Sequence, residues 1–169
     1  LRRVGAPEHD ILLTQGNLAI SYEKTGRHEE SLRLLGDVYS RRLKLNGEEH
    51  LETLQAASNY VLGLVELNRL EEGKSLMRKA VPVARRVLGE SDDTTLRMRW
   101  VYTQTLYKDT GASLDDLREA VTTLEDVERT ARRVLGAAHP STMGIEGSLR
   151  DARAALIARE AEAMEAAAQ

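Results

Sequence analysis

An all-α fold of stacked antiparallel helix pairs, about three and a half repeats and seven helices, is what this sequence predicts. Three observations carry that expectation: an internal repeat, apolar residues at helical spacing between regular breaks, and a helix-forming composition. The 169 residues include no Phe and only three Pro. Leu, Ala, Arg and Glu dominate, side chains that lose little rotamer freedom in a helix. Strands would call for more aromatic and β-branched residues.

The repeat is read from a basic pair, an aliphatic residue and a glycine. It occurs as Arg2-Arg3-Val4-Gly5, as Arg41-Arg42-Leu43 leading to Gly47, as Arg85-Arg86-Val87-Leu88-Gly89 and as Arg132-Arg133-Val134-Leu135-Gly136. The glycines fall at intervals of 42, 42 and 47 residues, and Ala-Arg-Arg-Val-Leu-Gly recurs unchanged at Ala84 and Ala131. Self-similarity at such a period marks a repeat architecture.

Each glycine reads as a helix stop. Lys and Arg in a closing turn suit the negative end of the helix dipole, and glycine suits the left-handed position beyond it. Short polar residues follow, His9, His50, Asp92 or His139, with Thr53, Thr95 and Thr142 three residues after the last three. These are starts. A second break lies inside each unit at Thr25-Gly26-Arg27, Leu67-Asn68-Arg69 and Asp109-Thr110-Gly111-Ala112, where Gly and Asn suit a tight turn.

Between breaks, Leu12, Leu18, Ala19 and Tyr22 are expected to line the first helix, and Leu32, Leu35, Val38 and Leu45 its partner. The expected helices span 10–25, 28–45, 51–67, 70–88, 93–109, 113–135 and 140–163, in units 5–46, 47–88, 89–135 and a partial unit 136–169 forming one domain over 1–169. Each pair exposes an apolar face that only its neighbour can bury. Charged residues from Arg150 to Glu162 equip the seventh helix to cap the stack. Pro82 predicts a kink in the fourth helix. The five extra residues of the third unit predict a change of curvature at residues 110–130.

Composition narrows function. With 24 Lys and Arg against 27 Asp and Glu, the net charge of -3 offers no pull toward nucleic acid or an anionic bilayer. The absence of Cys removes disulfides, thiolate metal sites and cysteine nucleophiles. There is no apolar run of membrane-spanning length, no signal-peptide core and no Asn-X-Ser/Thr sequon, so a cytoplasmic setting is expected. Leu1 in place of Met, and the repeat tail at Arg2–Gly5, suggest a piece excised from a longer chain.

Chemistry-bearing residues also have structural readings. His9, His28, His50 and His139 sit at repeat-equivalent linkers or at a turn, so they are expected to cap rather than to converge on a metal. The pairs Glu48-Glu49, Glu71-Glu72, Asp92-Asp93 and Asp115-Asp116 fall near helix starts, where the dipole favours negative charge. No catalytic triad order, phosphate-binding glycine loop or dinucleotide fingerprint is present. No enzyme, cofactor or metal is expected.

Asn17-Leu18-Ala19, Tyr22, Gly26-Arg27, Glu30-Ser31 and the linker Gly136-Ala137-Ala138-His139-Pro140-Ser141-Thr142 resemble tetratricopeptide repeats, in particular the longer units of kinesin light chains. The second and third units depart from the pattern: Tyr60-Val61 replaces Leu-Ala, Asn68 the turn glycine and Asp92 the linker His. The resemblance implies a right-handed superhelical solenoid, and a non-catalytic scaffold binding a peptide or partner helix in its concave groove. It places Asn17, Ile20, Gln55, Asn59, Leu62, Arg97, Trp100, Val101, Gln104 and Tyr107 on that groove.

Asn17, Asn59 and Arg97 match three positions of the chaperone-tail carboxylate clamp, but Leu13 and Val101 stand at its other basic positions. One cation does not hold an acidic C-terminus, so the expected ligand is a mixed apolar and aromatic peptide. Trp100 is either its anchor or a packing residue, since a register error of one residue separates the two. A regulatory array inside a larger protein, and self-association through the repeat edge at Arg2–Gly5, are the alternative roles.

Overall fold

A computed structural model describes residues 7–168 of the chain. It holds seven helices among those residues: α1 (Glu8–Lys24), α2 (His28–Asn46), α3 (Leu51–Glu66), α4 (Leu70–Leu88), α5 (Asp93–Tyr107), α6 (Leu114–Val134) and α7 (Pro140–Ala167). No strand occurs among them. Consecutive helices pack on one another throughout, and α3 also approaches α5, as α5 does α7. The even-numbered helices do not approach each other within 8 Å at Cα. A stack whose odd helices are closer together than its even ones curves with the odd helices inside. The tail at Arg2–Gly5 lies outside the described residues, as does any edge it would form.

The stop and start chemistry operates as its residue types dictate. Gly26, Gly47, Gly89, Gly136 and Asn68 all have positive φ, the left-handed conformation that ends a helix with least strain in Gly or Asn. At the unit starts, His50 Nδ1 accepts from the Glu52 N–H, Asp92 Oδ1 from Thr94 and Thr95, and His139 Nδ1 from Ser141. The linker threonines add a tether: Thr53 Oγ1 donates to the Arg42 carbonyl and Thr95 Oγ1 to that of Ala84, each at 3.3 Å. Each hydroxyl pins the start of one unit to the end of the last.

His9 departs from its expected linker role. It lies within α1 beside the buried Arg42, and its Nδ1 is 3.1 Å from Glu52 Oε1 while Arg42 Nη1 bonds Glu52 Oε2 at 2.7 Å. Carrying α2 and α3 with it, this cluster ties the first unit to the second. The turn at 108–113 also differs from the other two. Gly111 takes no positive φ there; Asp109 Oδ1 accepts from its N–H at 2.8 Å, and Ser113 caps α6 through the Asp116 N–H. This longer turn, with 21 residues in α6 against 19 in α4, absorbs the extra length of the third unit.

A continuous core runs from Leu32 through Leu54, Val61, Met77, Leu96, Leu106, Leu124 and Ile145 to Ala152. Leu12, Val38 and Ala56 form a smaller cluster under α1. Leu18 and Leu45, expected to be core, are exposed. Leu18 takes the repeat position of Tyr60 and Tyr102, which α2 and α4 help to cover, and no described helix precedes α1. Leu45 projects past Arg41, the α2 residue that meets Glu8 at the start of α1. Helix α4 runs without interruption through Pro82.

Candidate binding face

The inner face is built by the odd helices, whose outward-facing positions recur at a spacing of three or four. On α3 these are Gln55, Asn59 and Leu62, exposed or half-buried; on α5 they begin with Arg97 and Trp100. Arg97 Nη2 donates to Asn59 Oδ1 at 2.7 Å, joining the two helices across the face. The bond turns Asn59 into a fixed donor. Its amide NH2 has no partner among the described residues and is available to a ligand's carbonyl.

Trp100 is half-buried and engaged with α7. Its Nε1 donates to Ser148 Oγ at 2.8 Å, and a Cβ on Gly144 would stand 2.5 Å from the ring. Gly144 is therefore required for α7 to close on α5. Gly144 and Ser148, small residues one helical turn apart, are contributors that sequence reasoning missed; their i, i+4 spacing was the available signal.

Three expected face residues are withdrawn from it. Val101 is 1% exposed and belongs to the core, although it occupies the repeat position of Asn17 and Asn59. Gln104 and Tyr107 are also buried. The physical cause is the packing of α7 on α5, which covers the far half of the α5 face. Burial raises the pKa of the Tyr107 phenol above its ordinary value, against the Ser148 hydroxyl, which lowers it.

At the other end, Asn17 and Ile20 are exposed on α1, Ile20 at 46%. No Cα of α1 lies within 8 Å of α3, so these two are not drawn up beside Gln55 and Asn59. The compact part of the candidate site is Gln55, Asn59, Leu62, Arg97 and Trp100. Among the described residues no three His, Asp or Glu side chains are grouped to hold a metal, and no helix is long and apolar enough to cross a membrane.

Comparison with known proteins places this geometry. Residues 11–52 match the tetratricopeptide repeat model. That span covers most of the first unit, the one with the fewest departures from the repeat pattern, and the start of the second. No curated protein matches the chain in sequence. Among solved structures, a candidate kinesin light chain of Podosopora anserina with nearly identical TPR-like repeats superposes with a TM-score of 0.76 at 24% identity, over 91% of this chain and 70% of that one. A variant of the same protein gives 0.78 at 22% identity, over 95% and 73%. BtubC (BKLC) from P. vanneervenii gives 0.60 at 13% identity, over 97% and 68%. The fold is that of a tetratricopeptide-type repeat solenoid, similar to those of the kinesin-light-chain structures.

Proposed function

We propose that this chain is a non-catalytic protein-interaction scaffold whose inner face binds an extended peptide or a partner helix. The observation that carries the reading is the Asn59–Arg97 pair between Gln55, Leu62 and Trp100. It sets an oriented amide donor and one guanidinium among apolar surfaces. An extended backbone offers carbonyls to Asn59, and alternate side chains meet Leu62 and the open edge of Trp100. One cation on this patch favours a mixed apolar and aromatic sequence over an acidic tail.

The test is a peptide-array screen with the isolated chain, followed by titration of the best binder against Asn59→Ala and Leu62→Ser. The expected result is a saturable ligand that both substitutions weaken by about ten-fold, the scale of one lost hydrogen bond or apolar anchor. Saturable binding indifferent to both would move the site elsewhere. No saturable ligand at all would favour the alternative role, an array that packs within a larger protein.

A further inference from the structure

Helix α7 does not turn where the other odd helices turn. The shift of 47 residues that carries Thr95 to Thr142 carries the break Asp109-Thr110-Gly111-Ala112 to Leu156-Ile157-Ala158-Arg159, which offers no Gly or Asn for a tight turn. The helix therefore runs through, to 28 residues against 15 in α5. Among the described residues no helix folds back on it as α6 folds back on α5. One side of α7 is covered by α5 and α6 through Ile145, Leu149 and Ala152, and the opposite side is open.

That open side is apolar. Met143, Ile157 and Met164 are the three most exposed large apolar residues among those described, at 59%, 67% and 74%. With Arg150 they form a series at seven-residue spacing, and Gly147, Ala154, Ala161 and Ala168 follow its members by four residues each. Steps of four and three keep the stripe on one side of the helix for about 37 Å, the pattern of a helix–helix seam. Large and small residues alternate along it.

We propose that this stripe is a self-association surface on which the α7 helices of two copies pair antiparallel. A two-fold axis then sets Met143 against Ala168 of the other copy, Arg150 against Ala161, Ile157 against Ala154 and Met164 against Gly147. Every layer holds one large and one small residue, so the two helices interdigitate at close approach. The charges agree with this orientation. Positions just before the small residues face one another across an antiparallel seam, which brings Arg153 of each copy beside Glu160 of the other, while Arg150 lays its stem on Ala161 and keeps its guanidinium at the rim. A parallel pair would stack Arg150 on Arg150 and set Glu160 against Glu165. The inner-face residues take no part, so the pairing is independent of the peptide-binding reading.

The test is sedimentation equilibrium of the chain over a range of concentrations, with Ile157→Lys and Ala154→Leu alongside. The expected result is a monomer–dimer equilibrium whose dissociation constant rises by about ten-fold or more in each variant. Both positions are exposed in the single copy, and urea midpoints check separately that each variant is folded. Ala154→Leu distinguishes close pairing from nonspecific apolar adhesion, because it adds apolar surface yet sets leucine against Ile157. Orientation can be read by cross-linking, since the chain has no cysteine of its own. An oxidised mixture of Arg150→Cys and Ala161→Cys copies should give mainly the mixed disulfide, because those two positions share a layer. A chain that stays monomeric at millimolar concentration, a dimer that Ile157→Lys leaves intact, one that Ala154→Leu leaves intact or tightens, or disulfides formed mainly between like copies would each overturn the proposal.

Discussion

The guanidinium of Arg97 meets the side-chain carbonyl of Asn59 at 2.7 Å, one helix away and 38 residues along the chain. Both groups lie on the accessible inner face, so the bond orients more than it stabilises. Asn59→Ala and Arg97→Ala are expected to lower unfolding free energy by less than about 1 kcal/mol each. A double-mutant cycle on urea-unfolding midpoints measures their coupling; a coupling of zero would mean that the pair does not hold its geometry in solution.

Gly144→Ala places a methyl group against the Trp100 ring, with ring atoms at 2.5 and 2.8 Å. Either the ring rotates, breaking its bond to Ser148, or α7 lifts from α5. The expected cost is about 1–3 kcal/mol, the usual range for overpacking. The single Trp makes the outcome visible, because its emission should move to longer wavelength as the ring becomes wetter. An unchanged spectrum and melting temperature would contradict this account of α7 docking.

The three linker threonines should behave unequally. Thr53 and Thr95 donate across unit boundaries, so replacement by Val is expected to cost about 1 kcal/mol each. Thr142, fully buried, has no hydrogen-bond partner among the described residues, and its Val variant should be neutral or stabilising. Thermal denaturation of the three variants in one buffer separates these outcomes. Equal losses would show that Thr142 also finds an acceptor.

Acid should loosen the seam between α4 and α6 in a defined direction. The Lys74 hydrogen bond, at 2.8 Å, holds the Asp116 carboxyl below its ordinary pKa, and the Arg99 hydrogen bond does the same for Asp126. A group whose pKa is lower folded than unfolded stabilises the fold above its unfolded value, near about 3.9, and that contribution is lost as pH falls through the folded value. Urea midpoints should therefore decline below about pH 4, and Asp116→Asn and Asp126→Asn should each flatten the decline.

Helices and the breaks between them were legible because the signals are local. Gly47, Gly89 and Gly136, the polar caps after them and the 3.6-residue apolar spacing act within one turn of chain, so sequence neighbours settle them. The turn at 108–113 was less legible, since Asp109 and Ser113 close it through side-chain bonds without a left-handed glycine. The fate of His9 was not legible at all: its partners Arg42 and Glu52 lie 33 and 43 positions away.

The binding face divides along the same line. The repeat resemblance assigned Gln55, Asn59, Leu62 and Arg97 to the groove side of their helices, and all four stay accessible. Val101 shares the repeat position of Asn59, and only the docking of α7 through Gly144 and Ser148 decided that it is core. The amino-acid order thus determined what each helix is and where it ends, because caps and turns are short-range chemistry. Tertiary packing decided which faces stay open, because accessibility depends on how closely the neighbouring helix approaches.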